Sequence, residues 1–310
     1  MSLLRYIFYR ILVAVPTVLF IVAFAFFLAK VLPGDPITVM FGELQPPPEV
    51  RKTLEQKLGL DKPIYVQLAS YIWRAVQGDW GKSVHTGEPV TSLVARRFFA
   101  TLELTLASIA LSTLLGLLLA YGSASRPNTL LDALVRFVSI GSYSIPVFWW
   151  GLLLILVFSV QLQMFPPGGR EGLNSLVLPA VALATVNLGM IARFSRAAML
   201  EISTQDFVSA ARAKGLTERL VMVRYVFRNA LVPIVTLVGY RFGVLMGGAV
   251  ITETVFSYPG MGKTIVDSIF ARDYPVLLGC VIVIALTVVV VNLIIDLLYA
   301  FLDPRVRVKA

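Results

Sequence analysis

Six stretches of this chain stay apolar for about as long as a helix needs to cross a bilayer: Ile7 to Ala29, Leu102 to Ala124, Leu134 to Val160, Leu176 to Ile191, Leu231 to Ile251 and Val276 to Leu302. A hydrocarbon layer of about 30 Å takes roughly 20 helical residues, and within it every backbone N–H and C=O has to be paired inside the segment. The runs therefore predict six transmembrane helices in an all-α, polytopic membrane protein. Composition agrees. Hydrophobic residues make up 57% of the 310 and charged residues 15%, with a mean hydropathy of +0.82, well above the apolar share of a soluble domain. Asn187 and Arg241 interrupt the fourth and fifth runs. The first run holds several aromatics and is followed by no small-residue cleavage site, which reads as a retained span and not as a removed signal peptide.

Lys and Arg set the expected orientation. Placing the N-terminus inside puts Arg5, Arg10, Arg126, Arg136, the group Arg193, Arg196, Arg212, Lys214, Arg219, Arg224 and Arg228, and the terminal Arg305, Arg307 and Lys309 on the cytoplasmic side. The two short outer loops then hold Arg170, Lys263 and Arg272. The long segment Lys30 to Arg97 is also basic, but segments of that length vote weakly. Both termini are expected in the cytoplasm. The net charge of +9 follows from this topology and from attraction to an anionic lipid bilayer; basic residues beside spans give no argument for a nucleic-acid partner.

The long outer segment has an organisation of its own. Pro46-Pro47-Pro48 breaks the chain, Glu49 to Leu58 reads as a helix stopped by Gly59, and Ile64 to Gln77 as a second stopped by Gly78. A small extracytoplasmic helical cap is expected. The chain then divides into a first span over 1–30, the outer segment over 31–99, and a core over 100–310 that holds five spans and a polar loop at 200–230.

That loop, Glu201 to Asn229, is the most informative polar stretch. Neighbouring spans are usually joined by a few residues, so nearly thirty that themselves read as two short helices imply a contact in water. Ser203 is placed to cap the first helix, with Asp206 three residues on in a capping-box arrangement, and Gly215 to end it in a left-handed turn. Thr217 is placed to cap the second, in which Leu216, Leu220, Val223 and Phe227 form an apolar stripe. The alternative is a solvated loop lying on lipid headgroups.

The residue pattern resembles the cytoplasmic Glu-Ala-Ala loop of ATP-binding-cassette importer permeases, in the form found in the dipeptide/oligopeptide/nickel family. Ala210, Ala211 and Gly215 match its fixed points; Asp206 to Val208, Ala211 to Gly215 and Arg228 to Pro233 match the peptide branch. Ser209 stands where Glu is commonest in the wider superfamily, and Arg228 where a Pro is usual; both are typical of the peptide branch. Further matches run the length of the chain: Leu32-Pro33-Gly34-Asp35-Pro36, Thr252-Glu253-Thr254-Val255-Phe256 with Tyr258-Pro259-Gly260, Arg272-Asp273-Tyr274-Pro275, and Asp303-Pro304-Arg305. The resemblance implies the type I importer permease fold and a non-catalytic subunit of a di- or oligopeptide importer in the bacterial inner membrane. It implies a second related permease, two cytoplasmic ATPase subunits and an extracytoplasmic substrate-binding protein as partners, with ATP and magnesium held by the ATPases and no cofactor on this chain. Asp206, Ala210, Ala211, Arg212, Lys214, Gly215, Leu216 and Leu220 are then the expected ATPase-coupling residues. The loop from Phe256 to Pro275 is expected to fold partly back toward the pore.

Other features carry less. Ser257-Tyr258-Pro259-Gly260-Met261-Gly262-Lys263-Thr264 ends like a phosphate-binding loop but lacks the first glycine and follows a span instead of a strand. One histidine, His85, and one cysteine, Cys280, exclude an internal disulfide and leave no metal cluster; His85 reads as a surface residue. No nucleophile stands near a base. An ionisable group at bilayer depth needs a partner or water. Arg241 therefore either lines a pathway, where it meets a substrate carboxylate or a carboxylate such as Glu253, or forms a buried pair with a second subunit; Asn187 and Glu253 are further pathway candidates. Glu103 reads as interfacial, and Asp296 as a helix-packing or headgroup residue. Nickel and glutathione are alternative cargoes. A secondary transporter or channel is the alternative class, and it calls for an internal repeat or paired intramembrane acids that the sequence does not display.

Overall fold

The computed structural model describes residues 3–31, 46–59 and 61–302. The motifs Leu32 to Pro36 and Asp303 to Arg305 lie outside the described residues, as does the side chain of Asp296. The described chain is almost wholly helical. α1 (Leu3–Val31) is followed by the cap helices α2 (Pro48–Leu58) and α3 (Ile64–Val76). Gly59 and Gly78 take the left-handed conformation expected of them, with φ of +65° and +84°. α4 (Val90–Ser125) starts behind Pro89 and runs unbroken through residues 99 and 100, so the expected division between outer segment and core falls inside a helix.

The third expected span is not continuous. α5 (Leu130–Ser144) and α6 (Val147–Leu154, extended by a π turn over Ile155–Gln161) meet at 97°. Pro146 causes the break: it has no N–H to donate and drives Ile145, at φ −83° and ψ 123°, out of the helical region. α7 (Asn174–Ser203) is longer than the apolar run that predicts it, because Arg193 and Arg196 are carried within the helix. After α8 (Asp206–Ala213) comes α9 (Glu218–Met246), in which Val221–Phe227 is a π-helical stretch. The second loop helix is thus the first two turns of the fifth span. Two short helices, α10 (Val250–Val255) and α11 (Met261–Ala271), precede α12 (Tyr274–Leu302). Among the described residues five helices are long and apolar enough to cross a membrane, six if the bent α5–α6 pair counts as one span.

Large apolar side chains cover the outside of the bundle. Phe20, Phe24 and Phe27 on α1, Leu114 and Leu118 on α4 and Val290 and Ile294 on α12 are exposed, which suits an apolar solvent. α4 buries Thr101, Thr105, Ser108, Ser112, Gly116, Ala120 and Ser123 at intervals of three and four, with Gly116 against Ile191 of α7. Small residues at that spacing let two membrane helices approach closely. α5 and α7 approach closely where a Cβ on Gly189 would lie 2.5 Å from the Ser139 carbonyl oxygen. Gly189→Ala is therefore expected to destabilise the subunit by about 1–3 kcal/mol, read as a lowered thermal midpoint of the purified complex. Gly141→Ala, with no atom within 4 Å of the added carbon, should leave the midpoint unchanged.

The bundle has two ends. At the cap end, Asp273 before α12 accepts from the Ser83 hydroxyl and, at 3.3 Å, from the Val84 N–H, while His85 pairs with the Ala271 carbonyl at 2.6 Å. His85 is exposed but anchored. The loop end carries α8.

Candidate functional site

α8 is a short helix with one buried side. Val208 and Ala211 pack into a cluster made by Ala120 and Ala124 of α4, Ala198 and Met199 of α7, and Val221, Met222 and Val226 of α9. Ala211 is 3% exposed. Asp206, Phe207, Ser209, Ala210, Arg212 and Lys214 are exposed on the other sides. Gly215 follows with φ +77°, the left-handed turn expected of it. Arg212 fastens this hairpin: it makes a two-pronged pair with Glu218 across the turn, at 2.9 and 3.1 Å, and reaches back to the Ser203 carbonyl at 3.1 Å. Its charge is thus already matched by the chain itself.

The local capping differs from the sequence expectation. Ser203 is the last residue of α7, its hydroxyl donating to the Leu200 carbonyl, and α8 starts after Gln205 without a side-chain cap. Thr217 precedes α9 in extended conformation but makes no side-chain cap bond. The apolar stripe also shifts. Leu216 and Phe227 pack against the cluster, whereas Leu220 and Val223 are exposed and Val221, Met222 and Val226 are buried in their place. The π stretch explains this: i→i+5 bonding widens the turn, so the inward face moves from an α-helical spacing to the five-residue step from Val221 to Val226.

In the interior, Arg241 Nε donates to Asn187 Oδ1 at 2.8 Å, joining α9 to α7. Asn187 is buried and its amide nitrogen donates to the Leu183 carbonyl at 2.8 Å. Arg241 is only half-buried, and among the described residues its guanidinium has no other hydrogen-bond partner. Two of the three expected pathway residues are thus brought together.

Glu253 is not brought to them. It is fully buried in α10, where Oε1 accepts from Thr101 Oγ1 at 2.7 Å and Oε2 from the Lys263 N–H at 2.9 Å. Thr101 accepts in turn from the Met261 N–H at 2.8 Å. These are the free amides of the first turn of α11, so Glu253 neutralises a helix N-terminus from a neighbouring helix. The carboxyl group of Glu253 occupies the space a side chain on Gly260 would need. That accounts for a glycine after Tyr258-Pro259. Lys263, the lysine of the incomplete phosphate-loop pattern, pairs with Asp267 at 2.5 Å. Tyr258 is buried and its phenol is pushed up to about 12 by burial and by the Glu103 carboxylate, to which it donates at 3.4 Å. Glu103 itself pairs with Arg170 at 2.7 Å.

One cluster escaped the sequence reading. Asp132, at the first turn of α5 and 0% exposed, accepts two bonds from Arg196 of α7 at 2.6 and 2.9 Å, one from the Ser123 hydroxyl of α4 and one from the Asn128 N–H at 3.1 Å. Arg136 approaches it at 3.7 Å. Three helices are tied by one carboxylate beside the cluster that seats α8. Thr129-x-x-Asp132 is a capping pattern readable in the sequence, and the Thr129 side chain does accept from the Asp132 N–H; the partnership with Arg196 is not local and left no such mark.

The chain is similar to known proteins over nearly its whole length. Residues 112–308 match the family described as binding-protein-dependent transport system inner membrane component, and residues 3–105 match its N-terminal companion. The di/tripeptide transport system permease protein DppB of Pseudomonas aeruginosa is 38% identical over 98% of this chain and 99% of its own length. The oligopeptide transport system permease protein AppB of Bacillus subtilis is 40% identical over 97% and 99%, and the glutathione transport system permease protein GsiC of Escherichia coli 36% over 99% and 100%. Among solved structures, the inward-facing MetNI methionine ABC transporter superposes with a TM-score of 0.56 at 19% identity, over 68% of this chain and 96% of that one; the fold is that of a type I ABC importer permease. The side chains that seat the α8 hairpin, from Ala120 to Ile234, and the Arg241–Asn187 pair all lie within the matched residues, and the chain belongs to the family of binding-protein-dependent transport system inner membrane components.

Proposed function

We propose that this chain is the membrane subunit of an ATP-driven importer of di- or oligopeptides. The names of relatives at 38% and 40% identity over nearly the whole chain supply the cargo class, and the glutathione permease keeps short γ-linked peptides within it. The observation that carries the coupling role is the α8 hairpin, held from beneath by an apolar cluster and braced by Arg212–Glu218, with its other face free. On this reading the loop end is cytoplasmic, the cap end outside, and both termini inside. Asp206, Phe207, Ala210 and Lys214 meet a groove on an ATPase subunit, while Ala211, Leu216 and Gly215 set the shape of the hairpin. A second related permease, two ATPases carrying ATP and magnesium, and an external binding protein complete the assembly. Closure of the ATPases pushes α8, and α7 and α9 carry the push into the bundle.

Reconstituted with those partners in liposomes, the chain is expected to support uptake of a labelled dipeptide that stops when ATP or the ATPases are omitted. Uptake without them would establish a secondary transporter.

Arg241 and Asn187 are assigned to the pathway on this reading, and Glu253 to scaffold. A half-buried guanidinium in a span, held by a neutral amide, keeps a full positive charge for a passing carboxylate. Arg241→Gln should lower uptake of peptides with a free C-terminal carboxylate about tenfold, the loss of one charge-assisted hydrogen bond of about 1.5 kcal/mol, and leave C-amidated peptides within about twofold. An equal fall for both, together with loss of the second permease on purification, would make Arg241 a structural residue.

A further inference from the structure

The cap helix α3 carries three stripes. Leu68, Tyr71, Ile72 and Ala75 face the bundle, where they pack with Val22 and Phe26 of α1 and Leu278 and Ile282 of α12. Gln67, Ser70 and Arg74 form a polar stripe on another side, and Arg74 is the single charged residue of the helix. Tyr65, Ala69, Trp73 and Val76 form the third stripe and are exposed, the three large ones at 70%, 67% and 77%. At about 100° per residue the exposed stripe is centred roughly a quarter turn from the packed one and away from the polar one. The two apolar stripes therefore join into one wide face, of which α1 and α12 cover only a part.

The level of α3 follows from what it packs on. Val22 and Phe26 lie within the span that ends at Lys30, and Leu278 and Ile282 within the span that begins at Tyr274. They stand four to eight residues inward of Lys30 and five to nine inward of Asp273, about 6–14 Å along their helices at 1.5 Å per residue. α3 is thus sunk beside the spans and not raised above them. Its neighbour α2 is the contrast: Glu49, Arg51, Lys52 and Glu55 suit it to water. A Tyr-Trp-Val stripe exposed to water would be an uncovered apolar patch, whereas at the level of the spans it meets hydrocarbon.

We propose that α3 is an interfacial helix, its Tyr65–Ala69–Trp73–Val76 stripe embedded in the acyl chains of the leaflet at the cap end. Arg74, beside the stripe, carries its charge out to the headgroups on a long apolar stem, and Tyr and Trp are the residue types that favour this layer. The outer segment is then in part a membrane anchor: α3 fixes the cap to the bilayer beside α1 and α12 and leaves α2 to the water.

The test is site-directed spin labelling of the purified complex, with partner subunits that carry no accessible cysteine, in vesicles of phosphatidylethanolamine and phosphatidylglycerol. The native Cys280 is buried, so labels enter at Tyr65→Cys or Val76→Cys on the stripe, and at Thr53→Cys on α2 as the aqueous control. Oxygen should collide with the labels at 65 and 76 more often than a water-soluble nickel chelate does, at a ratio that places them about 5–10 Å inside the boundary between headgroups and acyl chains. At 53 the chelate should dominate. In parallel, chain-brominated lipids should quench a component of the tryptophan fluorescence that Trp73→Phe removes, a measurement that leaves the stripe of the reference protein unaltered. Chelate dominance at 65 and 76 would make the stripe a water-facing surface, and labels shielded from both reagents would make it a docking face for another protein. Either result, or equal quenching with and without Trp73, would overturn the assignment.

Discussion

Asp132→Ala is expected to cost the subunit about 3–5 kcal/mol, enough to abolish recovery of a folded complex at growth temperature. The carboxylate is fully buried and takes both prongs of Arg196, so its removal leaves a mostly buried guanidinium and the Ser123 hydroxyl facing a void. Replacing the aspartate by asparagine keeps the shape and one acceptor, and should recover part of the loss. Arg196→Lys tests the same contact from the other side: a lysine cannot span both carboxylate oxygens, so it should fall between wild type and Asp132→Ala. The thermal midpoint of complexes purified from cells grown cool reads all three. Equal midpoints for Asp132→Ala and wild type would mean that the tie between α4, α5 and α7 contributes nothing.

The second large effect is Ala211→Asp. The sequence pattern groups Ala211 with Ala210 as contact residues, but only Ala210 is exposed. Ala211 sits against α4, α7 and α9, and a carboxyl there has no hydrogen-bond partner in an apolar cluster, at a cost of about 2 kcal/mol or more. The hairpin should detach from the bundle and the subunit lose thermal stability even when expressed without ATPases. Ala211→Ser, nearly the same size, should stay close to wild type. A stable subunit carrying Ala211→Asp would place the residue at a surface.

Much of this architecture is legible in the chain because its signals are local. Apolar runs of span length give the helices, and Gly59, Gly78 and Gly215 each sit where a left-handed residue ends a helix. The failures are of two kinds. Where the backbone departs from the regular α period, a pattern count goes out of phase: the π stretch at Val221–Phe227 moves the buried face by one residue, and Pro146 folds one expected span into two segments. Where a contact joins distant positions, the residue types say nothing of the pairing. Glu253 reads as a pathway candidate and partner for Arg241 until Thr101, 152 residues away, and the amides of α11 are found around its carboxyl group. Arg196 counts in the sequence only as a basic charge beside a span, and nothing local links it to Asp132, 64 residues away. Arg241 and Asn187, by contrast, stood out singly as polar interruptions of apolar runs, and lipid leaves such residues few places to go but toward each other.

The central claim is that the exposed face of the α8 hairpin binds the ATPases while its buried face only holds the hairpin. Ala210→Asp separates the two, because it adds charge on the exposed face and leaves the Val208–Ala211 packing alone. Gly215→Val is its companion: nothing lies within 4 Å of the added carbon, so its effect comes from forcing a β-branched residue to φ +77°, a strain of about 1–3 kcal/mol confined to the turn. The measurement is the ratio of ATPase subunits to this chain after purification on a tag carried by this chain, with the thermal midpoint of the chain recorded alongside. The account predicts a ratio reduced at least about tenfold, a shift of 1.4 kcal/mol in association, for Ala210→Asp, with an unchanged midpoint. A wild-type ratio and normal peptide uptake in both variants would contradict it.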